Sequence, residues 1–396
     1  MDLLSGVTAD NLFVNSMQQQ YQMESLANQA LSRGIDRYTK QDYEGAANEF
    51  QRAVNLSPTS DYSVDATKYL AQSYLKLEKT DKAIEAYRNT LTRQPGRDDL
   101  QLELGNVLYA EDRFEEAVQA YQKAVNIDPS SLNQFSLAQG LMQTGRYEAA
   151  RAAFRNVIRL EPLSAHGYLG LGQAYAKEGD YDSAIEQFEK ALDKQSDYYE
   201  AYAEIGYAYA DMGEIEEAKD LAEFLEGKDD ELAALLDAYI NKVEPPKMLL
   251  AWGTSSFRYS KSFQTPLSAM DSYFETANAS KTMNMKILFN KDMDRSSVEN
   301  PLNWNISRAQ GATPAQTYNF GQSVPDTEIS IDPIPNFVLY DAETKTATIS
   351  FTVQQNSTAD GTIDPSHMVF KFSGKDSEGI QIHAEHDEFS GFSRVA

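Results

Sequence analysis

Residues 102–129 read LELGNVLYAEDRFEEAVQAYQKAVNIDP, and residues 169–192 read LGLGQAYAKEGDYDSAIEQFEKAL. Each stretch carries a small residue (Gly105, Gly172), an Ala twelve positions on (Ala117, Ala184) and an aromatic four after that (Tyr121, Phe188). Apolar residues recur at spacings of three and four, the signature of amphipathic helices. Working outward, the Ala position returns as Ala46, Ala83, Ala117, Ala150, Ala184 and Ala218, at spacings of 37, 34, 33, 34 and 34. The aromatic follows the first five as Phe50, Tyr87, Tyr121, Phe154 and Phe188, and Pro58, Pro95, Pro129 and Pro162 follow the first four at twelve residues. The small residue precedes each Ala as Gly34, Ala71, Gly105, Ala138, Gly172 and Gly206.

This register resembles the tetratricopeptide repeat, a unit of about 34 residues made of two helices. The resemblance covers residues 27–228 and implies six repeats. The small residues let paired helices approach closely, the aromatic fills the space beside them, and proline ends the second helix because its ring and missing N–H cannot continue the ladder. One helix pair cannot bury both faces, so neighbours must stack into a superhelix. Repeat one is followed by three extra residues within Thr59–Ser63, expected to lengthen a turn. Repeat six has Ala222 and Leu225 where an aromatic and a small residue are expected. The segment 229–244 reads as a capping helix, and residues 1–26 as a leader, partly helical or disordered.

The chain holds 396 residues, room for two or three domains at roughly 150 residues each. It has no Cys, which excludes disulfides, thiolate metal sites and a cysteine nucleophile. The net charge is −25, of which −20 falls on residues 1–246. Such a field disfavours nucleic acid and anionic membranes, which need clustered Lys and Arg. No basic residue precedes Arg33 and no long apolar run is present, so neither a secretory signal nor membrane insertion is expected. That reading favours a cytoplasmic protein. An uncleaved export address, and thus a cell-surface or secreted location, is the alternative.

Pro245-Pro246 closes the helical half. Residues 245–281 read as a linker with a possible extra strand. Beyond it, MNMKILFN (283–290), FVLY (337–340), TATISFTV (346–353) and HMVFKFSG (367–374) are short strand-like runs separated by Gly, Pro, Asn and Asp. The run from Ile287 to Ser307 resembles the start of bacterial immunoglobulin-like modules of surface and S-layer proteins. The resemblance rests on Met293, Asp294, Ser297, Val298, Asn300, Pro301, Asn303 and Trp304. It implies an immunoglobulin-like β-sandwich over residues 282–396. The fold class expected is therefore multidomain: an all-α superhelix followed by an all-β sandwich.

Catalytic signals are sparse. There is no phosphate-cradling Gly-Lys loop, no Gly-x-Ser-x-Gly elbow and no His-Glu-x-x-His helix. His383-Ala-Glu-His386-Asp-Glu offers imidazoles and carboxylates but reads as a solvated, charged tail. Asn290, Asp292, Asp294 and Ser296 alternate like the start of a calcium loop, yet Arg295 and Pro301 stand where that loop needs Gly and Glu. No catalytic residue, metal or cofactor is expected. A carboxylate-pair hydrolase is kept as the remote alternative.

The resemblance places the first helix of each repeat on an inner groove. The ninth residue of each repeat, counted from Ala27, Val64, Asp98, Ser131, Ala165 and Tyr199, is Ile35, Gln72, Asn106, Gln139, Gln173 and Tyr207. Four consecutive amides can pair with the backbone of an extended peptide. Lys68, Tyr69, Tyr109, Phe135, Met142, His166 and Lys177 lie nearby and suit apolar or aromatic anchors. The set Lys68 and Asn106 only partly matches the carboxylate clamp of chaperone-binding relatives. The function expected is a non-enzymatic adaptor or scaffold of bacterial type. It would bind a neutral or basic protein segment in the groove, with the sandwich as a second interaction module. An appendage-associated surface protein is the alternative.

Overall fold

The protein is described by a computed structural model over residues 9–261 and 263–390. Residues 1–8, part of the expected leader, lie outside the described residues. The chain divides into two compact units. One takes in residues up to 234 except 213–215, and the other those three and the residues from 235 on.

The first unit is built of helix pairs. They are α1 (Ala9–Thr39) with α2 (Tyr43–Leu56), α3 (Asp61–Lys76) with α4 (Thr80–Arg93), and α5 (Asp98–Ala110) with α6 (Phe114–Ile127). Then come α7 (Ser131–Gln143) with α8 (Tyr147–Leu160), α9 (Ala165–Lys177) with α10 (Tyr181–Lys194), and α11 (Tyr199–Met212) with α12 (Ile215–Leu225). A further helix, α13 (Asp230–Val243), carries the division between units and buries Ala233, Leu236 and Ile240.

The register residues meet as their sizes require. All six Ala of the register are fully buried. Phe50, Phe154 and Phe188 are fully buried too, and Tyr87 and Tyr121 nearly so. A Cβ built on Gly172 would lie 2.5 Å from Phe188 Cε1 and 3.0 Å from the Ala184 carbonyl oxygen, so the ring occupies the space a side chain would take. Gly34 against Phe50 and Gly105 against Tyr121 are equally tight, at 2.4 Å. Each of the four prolines stands two residues past the end of the second helix, at Leu56, Arg93, Ile127 and Leu160.

Between the two helices of each repeat, one residue takes a left-handed backbone. These are Gln41, Glu78, Asp112, Gly145, Gly179 and Gly213, each five residues before the register Ala. The first three carry side chains there, which costs about 1–2 kcal/mol relative to an ordinary helical residue.

The three extra residues of Thr59–Ser63 do not lengthen a turn. The connection before α3 has four residues (57–60), as do 94–97 and 161–164. Instead α3 is 16 residues long where α5, α7 and α9 are 13. Ser63 Oγ donates to the carbonyls of Pro58 and Ser60 at 3.1 and 3.0 Å, so the added residues satisfy their polar groups as an extra first turn.

First helices of successive repeats (α1, α3, α5, α7, α9, α11) touch one another, and each from α3 on also packs on the second helix of the preceding repeat. The first helices therefore line the closed side of the stack. Ala222 and Leu225, the departures in repeat six, are both buried.

The second unit is rich in antiparallel β-structure. Strands β1 (Met248–Gly253), β3 (Ser280–Phe289), β6 (Thr346–Gln354) and β5 (Phe337–Asp341) form a sheet in the order β1-β3-β6-β5. Strands β4 (Trp304–Arg308), β8 (Met368–Phe372) and β9 (Glu388–Phe389) form a second, and β2 (Thr265–Pro266) pairs with β7 (Thr362–Ile363). β1 lies within the segment read as a linker with a possible extra strand. Alternation decides the faces. Met283, Met285, Ile287 and Phe289 of β3 join Ile349, Phe351 and Val353 of β6 in a core shared with Trp304, Phe370 and Phe372 of the other sheet.

The corner between β3 and β4 explains its residue choice. Asp294 Oδ1 accepts from the Ser297 N–H at 2.6 Å, and Asn300 Oδ1 from the Leu302 N–H at 3.1 Å. Asn303 Nδ2 donates to the Ser297 carbonyl at 2.8 Å and Trp304 Nε1 to that of Val298 at 2.8 Å. Met293 and Val298 are buried between. Among the described residues no helix is long and apolar enough to cross a membrane.

Candidate functional site

The ninth residue of each repeat falls outside the core. Gln72 and Asn106 are exposed, whereas Ile35, Gln139, Gln173 and Tyr207 are half-buried. The amides differ in how they are engaged. Gln72 and Gln139 make no hydrogen bond within the described residues. Asn106 Oδ1 accepts from the Tyr121 hydroxyl at 3.0 Å. Gln173 Nε2 donates to Glu204 Oε1 at 2.7 Å, so α9 is tied to α11 of the next repeat. Burial pushes the Glu204 carboxyl up, and Glu200 adds to the rise, while Gln173 and Lys177 oppose it. Burial raises the Tyr207 phenol as well, with Glu204 contributing.

The flanking residues are anchored to neighbours. Lys68 Nζ sits 2.8 Å from Asp99 Oδ2, and Arg97 grips the same carboxylate with two bonds of 3.0 Å. Burial disfavours the Asp99 charge, but the two cations outweigh it and hold the carboxyl well below the usual range. Lys68 is therefore already engaged within the chain, which weakens half of the partial clamp. Tyr69 stacks on Phe50 at 5.4 Å and meets Tyr38 edge-on at 6.1 Å. Tyr109 packs edge-on against Phe114 and Phe135 against Phe154, at 5.2 and 5.8 Å. Met142 is half-buried against the core, and His166 Nδ1 lies 3.0 Å from the Tyr198 hydroxyl.

Residues 70–131 and 135–200 match one family model described as tetratricopeptide repeat, and residues 175–237 match a second of the same description. Residues 70–237 carry tetratricopeptide repeats. The chain is 29% identical over 105 residues to the small glutamine-rich tetratricopeptide repeat-containing protein 2 of Mycosarcoma maydis. That match takes in 26% of this chain and only 29% of the relative. Among solved structures, a tetratricopeptide repeat protein from Parabacteroides merdae is 15% identical, with a TM-score of 0.48 over 55% of this chain and 86% of that one. MamA is 26% identical, with a TM-score of 0.38 over 42% of this chain and 97% of its own. Proteins of this repeat act in protein–protein interaction.

The sequence reading missed two clefts between the second helices of adjacent tetratricopeptide repeats. One, of about 630 Å³, lies between α4 and α6 and is floored by Gln101, Leu104 and Leu108 of α5. The other, of about 740 Å³, lies between α6 and α8 and is floored by Gln134, Leu137 and Leu141 of α7. Ala149, Ala152 and Ala153 on α8 leave the second one open, a run of small residues that was visible in the sequence.

Outside the repeats, the second unit buries a polar cluster that sequence reading also missed. His367 Nδ1 lies 2.6 Å from Asp364 Oδ2, and Ser366 Oγ donates to Asp364 Oδ1 at 2.8 Å. The backbone N–H of Asn319 donates to the same carboxylate at 2.9 Å, and His367 Nε2 is 3.1 Å from the Ala315 carbonyl. Asp364 and His367 are fully buried. The residue types are those of a hydrolytic triad, but the Ser366 hydroxyl lies 3.2 Å from Nδ1, the same ring nitrogen that faces the carboxylate, and Nε2 is turned to a backbone carbonyl. The cluster thus holds the loop around Asn319 against the turn before β8. The calcium-like run is likewise turned onto backbone: Asn290 Oδ1 accepts from the Lys247 N–H at 2.7 Å, and Asp294 caps the short helix Arg295–Val298.

Proposed function

We propose that the tetratricopeptide stack binds an extended, neutral or basic segment of a partner protein along its first-helix face. The observation carrying this reading is the shared register: Gln72, Asn106, Gln139 and Gln173 come from four successive repeats and none belongs to the core. Gln72 and Gln139, whose side chains have no partner among the described residues, offer both donor and acceptor to a peptide backbone. The net charge of −20 on residues 1–246 favours a basic or neutral segment and a salt-sensitive association. We assign the β-rich half as an immunoglobulin-like second interaction module, on the motif around Trp304. The outward face of its four-stranded sheet supports this, carrying Leu250, Leu339 and Phe337 exposed.

The test is the affinity of a partner recovered by pull-down with the full chain. Each amide bond is worth about 0.5–1.5 kcal/mol net, so one Ala weakens binding roughly two- to twelvefold. Gln72→Ala, Asn106→Ala and Gln139→Ala together should weaken it at least tenfold with the helical signal intact. Gln173 is left in place, because removing it strips Glu204 of its hydrogen bond, and Asn106→Ala is also made alone as a stability control, because it strips the Tyr121 hydroxyl of its acceptor. Unchanged affinity in the triple variant would take the groove out of the mechanism and turn attention to the clefts or the sheet face.

A further inference from the structure

We propose that His383, Glu385 and His386 form a binding site for one divalent transition-metal ion of the imidazole-preferring kind, with Zn²⁺ as the ion the ligand set fits best. The observation is convergence. One potential ligand atom from each of the three lies within 4.8 Å of the others. Both imidazoles are half-buried, and their ring centroids are 5.4 Å apart.

The segment is not the free, solvated tail its sequence suggests. The His386 N–H donates to the His383 carbonyl at 2.9 Å and closes a tight turn. That turn is strapped to the start of β1: the His383 N–H donates to the Pro246 carbonyl at 3.0 Å, and the Met248 N–H to the His386 carbonyl at 3.1 Å. On either side, the Ile382 N–H donates to Gly374 at 3.0 Å and the Phe372 N–H to Asp387 at 2.8 Å. Within the turn, the Glu385 N–H donates to His383 Nδ1 at 3.2 Å and sets that ring's orientation. The backbone that carries the ligands is thus fixed before any ion arrives.

The chemistry of the set selects the ion. Two neutral imidazoles and a carboxylate suit Zn²⁺, Ni²⁺ or Cu²⁺, whereas Mg²⁺ and Ca²⁺ require a shell of oxygens. Ligands at about 2.0–2.1 Å from a tetrahedral ion stand about 3.3 Å apart, so modest side-chain rotations of the partly exposed groups close the site. Three protein ligands leave a fourth position for water. All three come from one turn, so the ion locks that turn and, through its two backbone bonds, the start of β1. This inference is independent of the groove.

The experiment uses the full chain without an affinity tag, titrated with ZnCl₂ by calorimetry and followed by NMR of the imidazole rings. The chain has four His, which makes the assignment direct. The expected result is saturable uptake of one Zn²⁺, with shifts confined to the His383 and His386 rings, a raised melting temperature and no response to CaCl₂. His383→Asn with His386→Asn should abolish uptake while leaving the circular dichroism unchanged. Glu385→Gln should weaken uptake without abolishing it. The wild-type ring shifts decide the matter even where the double variant folds poorly. Absence of saturable uptake, shifts at His166 or His367 instead, or full uptake by a folded double variant would each overturn the site.

Discussion

The two halves of the molecule reach a closed core by opposite routes. In the helical half the same few contacts recur: a small residue under an aromatic, an Ala between helices, a left-handed residue at the turn. Their hydrogen bonds across repeats span about one repeat, as in Gln94 to Pro58 or Gln173 to Glu204, 36 and 31 residues apart. In the β-rich half the contacts are single-copy and long-range. Ser350 Oγ reaches Asn284 across 66 residues, and Gln355 Nε2 reaches the Phe274 carbonyl across 81. A stack built from neighbour contacts tolerates local damage, because stability is close to a sum over repeats and their interfaces. A core that both larger sheets share does not.

The largest effect that could break this contrast comes from Trp304→Ala. Its ring is 3% exposed, packs on Phe372 at 4.6 Å and donates to a buried carbonyl. The loss is expected at about 3–5 kcal/mol and should raise hydrogen exchange across all strands of the β-rich half. Gly172→Leu forces a side chain onto Phe188 and the Ala184 carbonyl, at a cost of about 1–3 kcal/mol or more, but exchange should rise chiefly in repeat five and its neighbours. A β-half response confined to β4, or a collapse of all six repeats in the Gly172 variant, would dissolve the distinction.

Much of the helical half was legible because six copies of one register cannot arise from noise. What was not legible has particular reasons. The three-residue insertion looked like turn material because Ser60, Asp61 and Ser63 are turn-formers, yet the same side chains serve as well at the start of a helix. The left-handed positions were hidden because Gln41, Glu78 and Asp112 stand where later repeats have Gly. In the groove, the amide register was readable, but Glu204, which engages Gln173, lies in the next repeat and is invisible to a position-by-position alignment. In the β-rich half, β1 escaped a firm reading because MLLAWG is short and does not alternate. The His383–His386 turn looked free because the carbonyl that holds it, Pro246, is 137 residues earlier in the chain.

Glu204 offers a smaller, sharper test within the helical half. Its carboxyl is raised in the folded state, chiefly by burial, so the folded chain holds that proton to higher pH than the unfolded chain. Its contribution therefore favours folding below the unfolded value of about 4.3, and stability is lost as pH rises through the raised folded value. Glu204→Gln should flatten this part of the pH profile and raise the melting temperature at pH 7, with the change sensed in repeats five and six alone. An unchanged profile would mean that Glu204 is effectively solvated.

The smallest expected effect is Glu78→Gly. Relief of a left-handed non-glycine residue, at about 1–2 kcal/mol, outweighs the added chain entropy of glycine, at about 0.5–1 kcal/mol. A net gain of about 0.5 kcal/mol, read by chemical denaturation, should match what Gln41→Gly gives, since both stand at the same turn. Unequal gains would show that the early repeats are less equivalent than their register implies.

The extra helical turn of α3 also changes how the first repeats communicate. Gln94, just past α4, reaches back to the Pro58 carbonyl at 3.0 Å and to Ser63 Oγ at 2.8 Å, binding one inter-repeat connection to the one before it. Ser63 belongs to the added turn. In the language of a one-dimensional chain of coupled units, the bond to Ser63 steadies the second unit itself, and the bond to Pro58 strengthens its coupling to the first. Fraying that starts at α1 therefore meets a barrier at the second repeat, where a uniform array would unzip by equal steps.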